Sequence, residues 1–240
     1  MKLIRNTFLS VAATFLAAGA LMAADSPKDA VTAAAKKLAD QANYAWRTTV
    51  ETSSNARYRP GPTEGKTEKG GFTWISTTRG ENTIEAVMKG GKSAVKLQDG
   101  WQTPEEASGG DGQQNRGRMI SRMVQNFKAP AAEAEDLASK VKELKGEKGE
   151  YSGDLTEDGA KALISFGRGR AGGEAPSVSG AKGSVKIWVK DGLITKYEYK
   201  VQGSMSFNGN DVEVDRTTTV SVKDVGSTKV EVSEEAKKKL

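Results

Sequence analysis

Residues 184–201 read SVKIWVKDGLITKYEYKV, and this stretch decides the fold. Val185, Ile187 and Val189 alternate with lysine and tryptophan, which is the period of a half-buried β-strand. Asp191-Gly192 then favours a two-residue hairpin turn. A second antiparallel strand is expected after this turn, and one of its faces carries Leu193, Thr195, Tyr197 and Tyr199.

Further strands are predicted on both sides of a helical middle. Before residue 105, alternation predicts strands around Trp46, Trp74, Met88 and Val95. Apolar residues at helical spacing then occupy residues 119–127, 130–144 and 156–166. Strands return at residue 185, and residues 230–232 are expected to form the last one. This order predicts one α+β domain with a mostly antiparallel sheet, completed by both ends of the chain and covered by helices on one face.

The first 24 residues are typical of a secretory signal peptide. Lys2 and Arg5 precede an uncharged apolar stretch, residues 6–24, that ends in small residues. Cleavage is expected near residues 23–24, which leaves residues 25–240 as a single domain in the periplasm or the extracellular medium. The alternative is an uncleaved membrane anchor, since the stretch approaches the ~20 residues that span a bilayer. No cysteine follows it, so an acylated lipoprotein is not expected.

The composition excludes several kinds of active site. The chain has 0 cysteines and 0 histidines, so disulfides, thiolate nucleophiles, catalytic triads with histidine and histidine metal ligands are impossible. No nucleophile motif stands out among the remaining residue types, so we expect no enzyme, no cofactor and no metal. The formal net charge is +5, and the leader supplies two of the cations, so the basic character is weak and no nucleic-acid partner is expected.

Three stretches resemble the lipoprotein-carrier superfamily, which includes LolA/LolB-like and LppX/LprG-type proteins. They are the early strand at 44–51, the segment 151–163 and the strand pair at 185–194. The resemblance implies a twisted antiparallel half-barrel with helices covering one face and an apolar cavity between the layers. It also implies a lipid or an acylated lipoprotein as the partner, and membrane contact that is transient at most.

Apolar residues on the predicted elements are the candidates for lining such a cavity. Methionine adapts to varied apolar partners, and aromatic faces suit an apolar pocket. The candidates are Trp46, Trp74, Met119, Met123, Phe127 and Tyr197. Ordinary core and sheet packing is the alternative for each. We therefore expect a periplasmic carrier of a lipid or of a lipoprotein's acyl chains. The alternative is a non-catalytic envelope module with a filled core, which would interact with another envelope protein or serve a structural role.

Overall fold

A computed structural model describes residues 26–53, 59–79, 82–97, 100–109, 120, 123–165, 177–207 and 210–240. The predicted signal peptide, residues 1–24, lies outside the described residues, and so does Met119.

The described strands form one antiparallel sheet. Their bounds are β1 (Asn43–Thr52), β2 (Thr63–Glu68), β3 (Thr73–Arg79), β4 (Asn82–Lys89), β5 (Lys92–Leu97), β6 (Gly100–Gln102), β7 (Lys145–Glu147), β8 (Glu150–Asp154), β9 (Ser177–Lys190), β10 (Leu193–Phe207) and β11 (Asn210–Lys223). The spatial order is β6-β5-β4-β3-β2-β1-β11-β10-β9-β8-β7. The two ends of the chain therefore meet where β1 pairs with β11. Because β6 and β7 lie at opposite edges, the described sheet is open, and the predicted α+β half-barrel is confirmed.

Most of the described helices cover one face of this sheet. Their bounds are α1 (Pro27–Ala39), α2 (Pro104–Gly109), α3 (Pro130–Lys140), α4 (Glu157–Ser165) and α5 (Glu234–Lys237). The Ser26 hydroxyl caps α1 by accepting from the Asp29 N–H. Val31, Ala34 and Leu38 then form a buried stripe at helical spacing. Helix α1 packs against α3 and β10, and α4 packs against β9 and β10. We call the face beneath these helices the inner face.

The strand register assigns side chains to the two faces. Tyr197 of β10 pairs with Ile187 of β9 and with Val220 of β11, and Val220 pairs with Thr48 of β1. Tyr197, Ile187 and Val220 are all almost fully buried, so this row faces the helices. Since side chains alternate along each strand, Trp46, Val50 and Thr52 share the inner face with Thr48.

A β-bulge changes the expected face at the start of β10. Ile194 pairs with Val189, but the next pair is Lys196 with Trp188, so Thr195 has no partner in the register. The extra residue places Ile194, which is fully buried, on the face where alternation predicted Leu193 and Thr195. The predicted face is correct from Tyr197 onward and wrong before it.

Helix α3 is shorter than the apolar stripe predicts. It ends at Lys140, because Val141 has an extended backbone and forms a bridge with Leu155 at the end of β8. The Lys142 N–H then donates to the Asp154 carbonyl, which continues the pairing to the sheet edge. Leu144 is buried, but it lies in the connection to β7 and not on the helix.

The predicted last strand at 230–232 is also wrong. The Val230 N–H donates to the Glu68 carboxylate, so a side chain takes the place of a strand ladder. The chain then forms α5, which packs against β5 and β6. Val87 and Ala94 are paired with each other, almost fully buried and on the outer face. This C-terminal segment therefore covers part of the outer face, opposite the other helices.

Candidate ligand-binding site

Aromatic rings form a wall on the inner face of β1. Trp46 is 2% exposed, and its ring stacks on Phe127 with centroids 5.9 Å apart and an interplanar angle of 24°. Tyr44 lies on the other side, 5.9 Å from Trp46 between centroids. Gly65 pairs with Trp46 in the register, and a Cβ at Gly65 would lie 2.0 Å from the Trp46 ring. The absence of a side chain at Gly65 thus lets the indole lie across β2.

The chain between β6 and α3 supplies part of the cover over this wall. Val124 is buried, while Met123 and Phe127 are partly buried against the same core. Phe127 lies beyond the helical segment at 123–125, and its N–H donates to the Val124 carbonyl. Of the sequence candidates, the structure therefore brings Trp46 and Phe127 into contact and places Met123 on the surrounding core.

Tyr197 connects a helix to the sheet through a side-chain hydrogen bond. Its hydroxyl donates to Oε2 of Glu133 on α3, and the Tyr199 hydroxyl lies 3.3 Å from Oε1 of the same carboxylate. Burial raises the pKa of Glu133, and the donated hydrogen bonds from the two tyrosines oppose that rise. Burial also raises the pKa of Tyr197 well above the usual value. Tyr197 thus holds α3 against the sheet, and no motif in the sequence indicates Glu133 because its spacing matches no known site.

Trp74 does not belong to the candidate site. It pairs with Lys66 and Val87, whereas its neighbour Ile75 is buried in the inner core. The Trp74 indole N–H donates to Glu85, and the Lys66 ammonium lies 5.8 Å from the ring centroid. Trp74 therefore lies on the outer face, and its predicted role in lining a cavity is wrong.

A partly exposed strip follows the pairing of β1 with β11 on the inner face. We call this strip the seam, and it consists of Thr48, Val50, Thr52, Val214 and Arg216. Each of these residues keeps some solvent exposure, whereas Val201 and Tyr197 on β10 are fully buried. At the end of β11 beside the seam, Val212 is 43% exposed. Helices α1, α3 and α4 contact β9 and β10, while α2 and α5 contact β5 and β6, so the main helix contacts fall on either side of the seam strands β1 and β11.

Two clefts open at the margins of the sheet. One has a volume of about 600 Å³ and lies between the β2–β3 turn, the β4–β5 turn and the segment at 123–125. Its lining includes Met88 and Val124, which belong to or pack against the main core. The other has a volume of about 510 Å³ and is lined by charged residues such as Lys142, Asp154 and Lys182. The lining of the first cleft mixes these apolar residues with polar ones such as Glu68 and Lys92, and the second cleft is polar.

The described residues show no converging set of three acidic, histidine or cysteine side chains that would hold a metal ion. Within the same part of the chain, no helix is both long enough and apolar enough to cross a bilayer.

No protein-family model matches this sequence, and no curated protein is similar to it. Among solved structures, the lipoprotein LppX of Mycobacterium tuberculosis matches with a TM-score of 0.49 and 10% identity, over 86% of this chain and 97% of LppX. LprF from Mycobacterium bovis gives 0.44 and 9%, over 87% of this chain and 96% of LprF. A DUF1329 family protein from Desulfovibrio piger gives 0.30 and 12%, over 83% and 92% respectively.

Proposed function

We propose that this protein is a non-enzymatic carrier of an apolar ligand, either a lipid or the acyl chains of a lipoprotein, in the periplasm or outside the cell. The seam carries this proposal, because Val50 and Val214 keep accessible apolar surface on the face that the helices otherwise cover. An acyl chain laid along the seam removes that surface from water. Each methylene that becomes buried contributes ~0.8 kcal/mol, so a long chain binds without polar contacts.

The aromatic wall supports the same function. Trp46 is the inner residue of β1 next to Thr48, at one end of the seam, and its ring stacks on Phe127. The two rings present a rigid apolar surface there. Val124 and Met88 also line the cleft of about 600 Å³ at the turns of β2–β3 and β4–β5, and we place the entry of the guest there. Entry of the guest then needs only a shift of the chain at 123–127 away from the sheet.

A second candidate is a non-catalytic envelope module that binds another protein or serves a structural role. The packing over β9 and β10 favours it, because Leu38, Leu137, Ile187 and Tyr197 are fully buried there. That half of the inner face is filled by the protein's own side chains. The two candidates differ in whether the seam is occupied by a guest or remains a solvated groove.

Mass spectrometry under native conditions, applied to the full chain purified from its source, tests the carrier function. We expect a lipid-sized mass increment on the wild-type protein. Val50→Asp should lose it, because an approaching chain would have to strip water from a carboxylate. The matched control is Thr49→Asp, which places the same charge one residue away on the outer face, where the native side chain is exposed. A bare chain in a stable complex with another protein would instead support the envelope module.

A further inference from the structure

Arg216 is a cation on the apolar seam. It lies on the inner face of β11, directly opposite Thr52 of β1 and Val201 of β10. Val201 is fully buried, and Thr218, the next inner residue of β11, is 4% exposed. The neighbouring acid, Asp215, lies on the outer face, where it accepts from Gln202 and pairs with Lys200. Arg216 keeps some solvent exposure, and a guanidinium beside these buried side chains is stabilised when an acidic group binds it.

The described residues satisfy only part of the Arg216 side chain. Nη2 donates to the Leu163 carbonyl at 2.8 Å. That contact caps the last turn of α4, whose final carbonyls have no partner within the helix. Nε is buried and has no hydrogen-bond partner, and no carboxylate in the described part of the chain forms an ion pair with Arg216. Helix capping therefore explains one contact and leaves the charge and the Nε proton without a partner.

The surroundings of Arg216 suit an acidic head group. Tyr199 pairs with Thr218, the next inner residue of β11, so this phenol lies on the same face as Arg216 and one row away from it. The Thr52 side chain, opposite Arg216, adds a hydroxyl that can donate to the same oxygen atoms. Arginine presents a planar fork that matches the two oxygens of a carboxylate or of a phosphate.

From these contacts, we infer that Arg216 binds the acidic head, a carboxylate or a phosphate, of an amphipathic guest whose apolar chain runs along the seam towards Trp46. The inference rests on the proposed carrier function and adds the chemical class of the ligand. The six residue-to-residue steps from Thr52 to Trp46 span about 20 Å of strand, which gives the chain an extended path on one face. The head then lies where β1 ends, and the tail lies under the helical cover.

Equilibrium binding of two fluorescent probes tests this inference on the full chain after co-purified lipid has been stripped. The probes are dansyl-undecanoic acid and its methyl ester, which share a tail and differ in head charge. We expect the acid to bind at least about tenfold more tightly than the ester, as for a hydrogen-bonded charge pair. Arg216→Gln should remove this preference by weakening the acid alone, and Arg216→Lys should retain part of it. Displacement by a free fatty acid and by lysophosphatidic acid tells which head is preferred.

Arg47→Gln is the matched control, because Arg47 is exposed on the outer face in an ion pair with Glu64. It removes the same charge and should leave the affinity for both probes unchanged. If wild-type protein binds acid and ester equally well, the role of Arg216 is wrong while the carrier function stands. If it binds neither probe, the carrier function itself fails. An equal loss of both probes in Arg216→Gln would also contradict a head-group contact.

Discussion

Gly65→Ala is expected to destabilise the protein, although alanine usually suits a strand better than glycine. A Cβ at Gly65 would lie 2.0 Å from Cζ2 and 2.2 Å from Cε2 of Trp46. Carbon atoms in favourable contact lie about 3.5–4.0 Å apart, so the indole has to move by about 1.5 Å. Trp46 is buried and stacked on Phe127, so this movement disturbs the aromatic wall as a whole.

The magnitude follows from two opposing effects. Overpacking of a filled core costs about 1–3 kcal/mol, whereas replacing glycine in a strand returns about 0.5–1 kcal/mol. We therefore expect the free energy of unfolding to fall by about 1 kcal/mol, and by no more than about 2.5 kcal/mol. Urea unfolding followed by circular dichroism measures this change.

The same substitution in a Trp46→Leu background provides the control. The leucine side chain does not reach across β2, so Gly65→Ala should become neutral or stabilise by up to about 1 kcal/mol there. The reversal of sign is the decisive observation. If Gly65→Ala has the same effect in both backgrounds, the indole does not lie over Gly65 and the description of the wall is wrong.

Two further predictions concern stability. Burial raises the pKa of Glu133 above its ordinary value of 4.5, so the unfolded chain ionises first and the wild type should lose stability as pH rises from 4.5 through the raised pKa. Urea unfolding from about pH 4 to about pH 8 measures this loss. Glu133→Gln should lack it, and the exposed control Glu135→Gln should retain it. If the free energy of unfolding changes with pH in the same way in wild type and Glu133→Gln, the raised pKa does not belong to Glu133. Deletion of residues 233–240 should uncover Val87 and Ala94 and lower the free energy of unfolding by about 2 kcal/mol. An unchanged urea midpoint would show that this segment does not cover the outer face.

The alternation in the sequence was sufficient to predict the sheet and the positions of Trp46 and Tyr197. It failed at the start of β10, because nothing in the alternation marks Thr195 as the extra residue of a bulge. That extra residue places Ile194 on the inner face. It also failed at Trp74, because Trp74 and Ile75 are adjacent apolar residues and the pattern alone does not tell which of them faces the helices.

The polar residues of the candidate site could not be predicted, because the residues that they meet lie far away in the sequence. Glu133 reaches Tyr197 across 64 positions of the chain, and it lies on a helix whose apolar stripe predicts only which side packs. Arg216 is followed by threonines and resembles any surface arginine in the sequence. Its importance arises from the register that sets it opposite Thr52, and that register forms only when the two ends of the chain pair.

Photo-cross-linking with a fatty acid that carries a diazirine in mid-chain tests the central claim most directly, with labelled residues identified by peptide mass spectrometry. A guest on the inner face should label Val50, Val214 or Phe127. Labels confined to Trp74 and Trp188 on the outer face, or spread evenly over the surface, would contradict the binding of an apolar ligand beneath the helices.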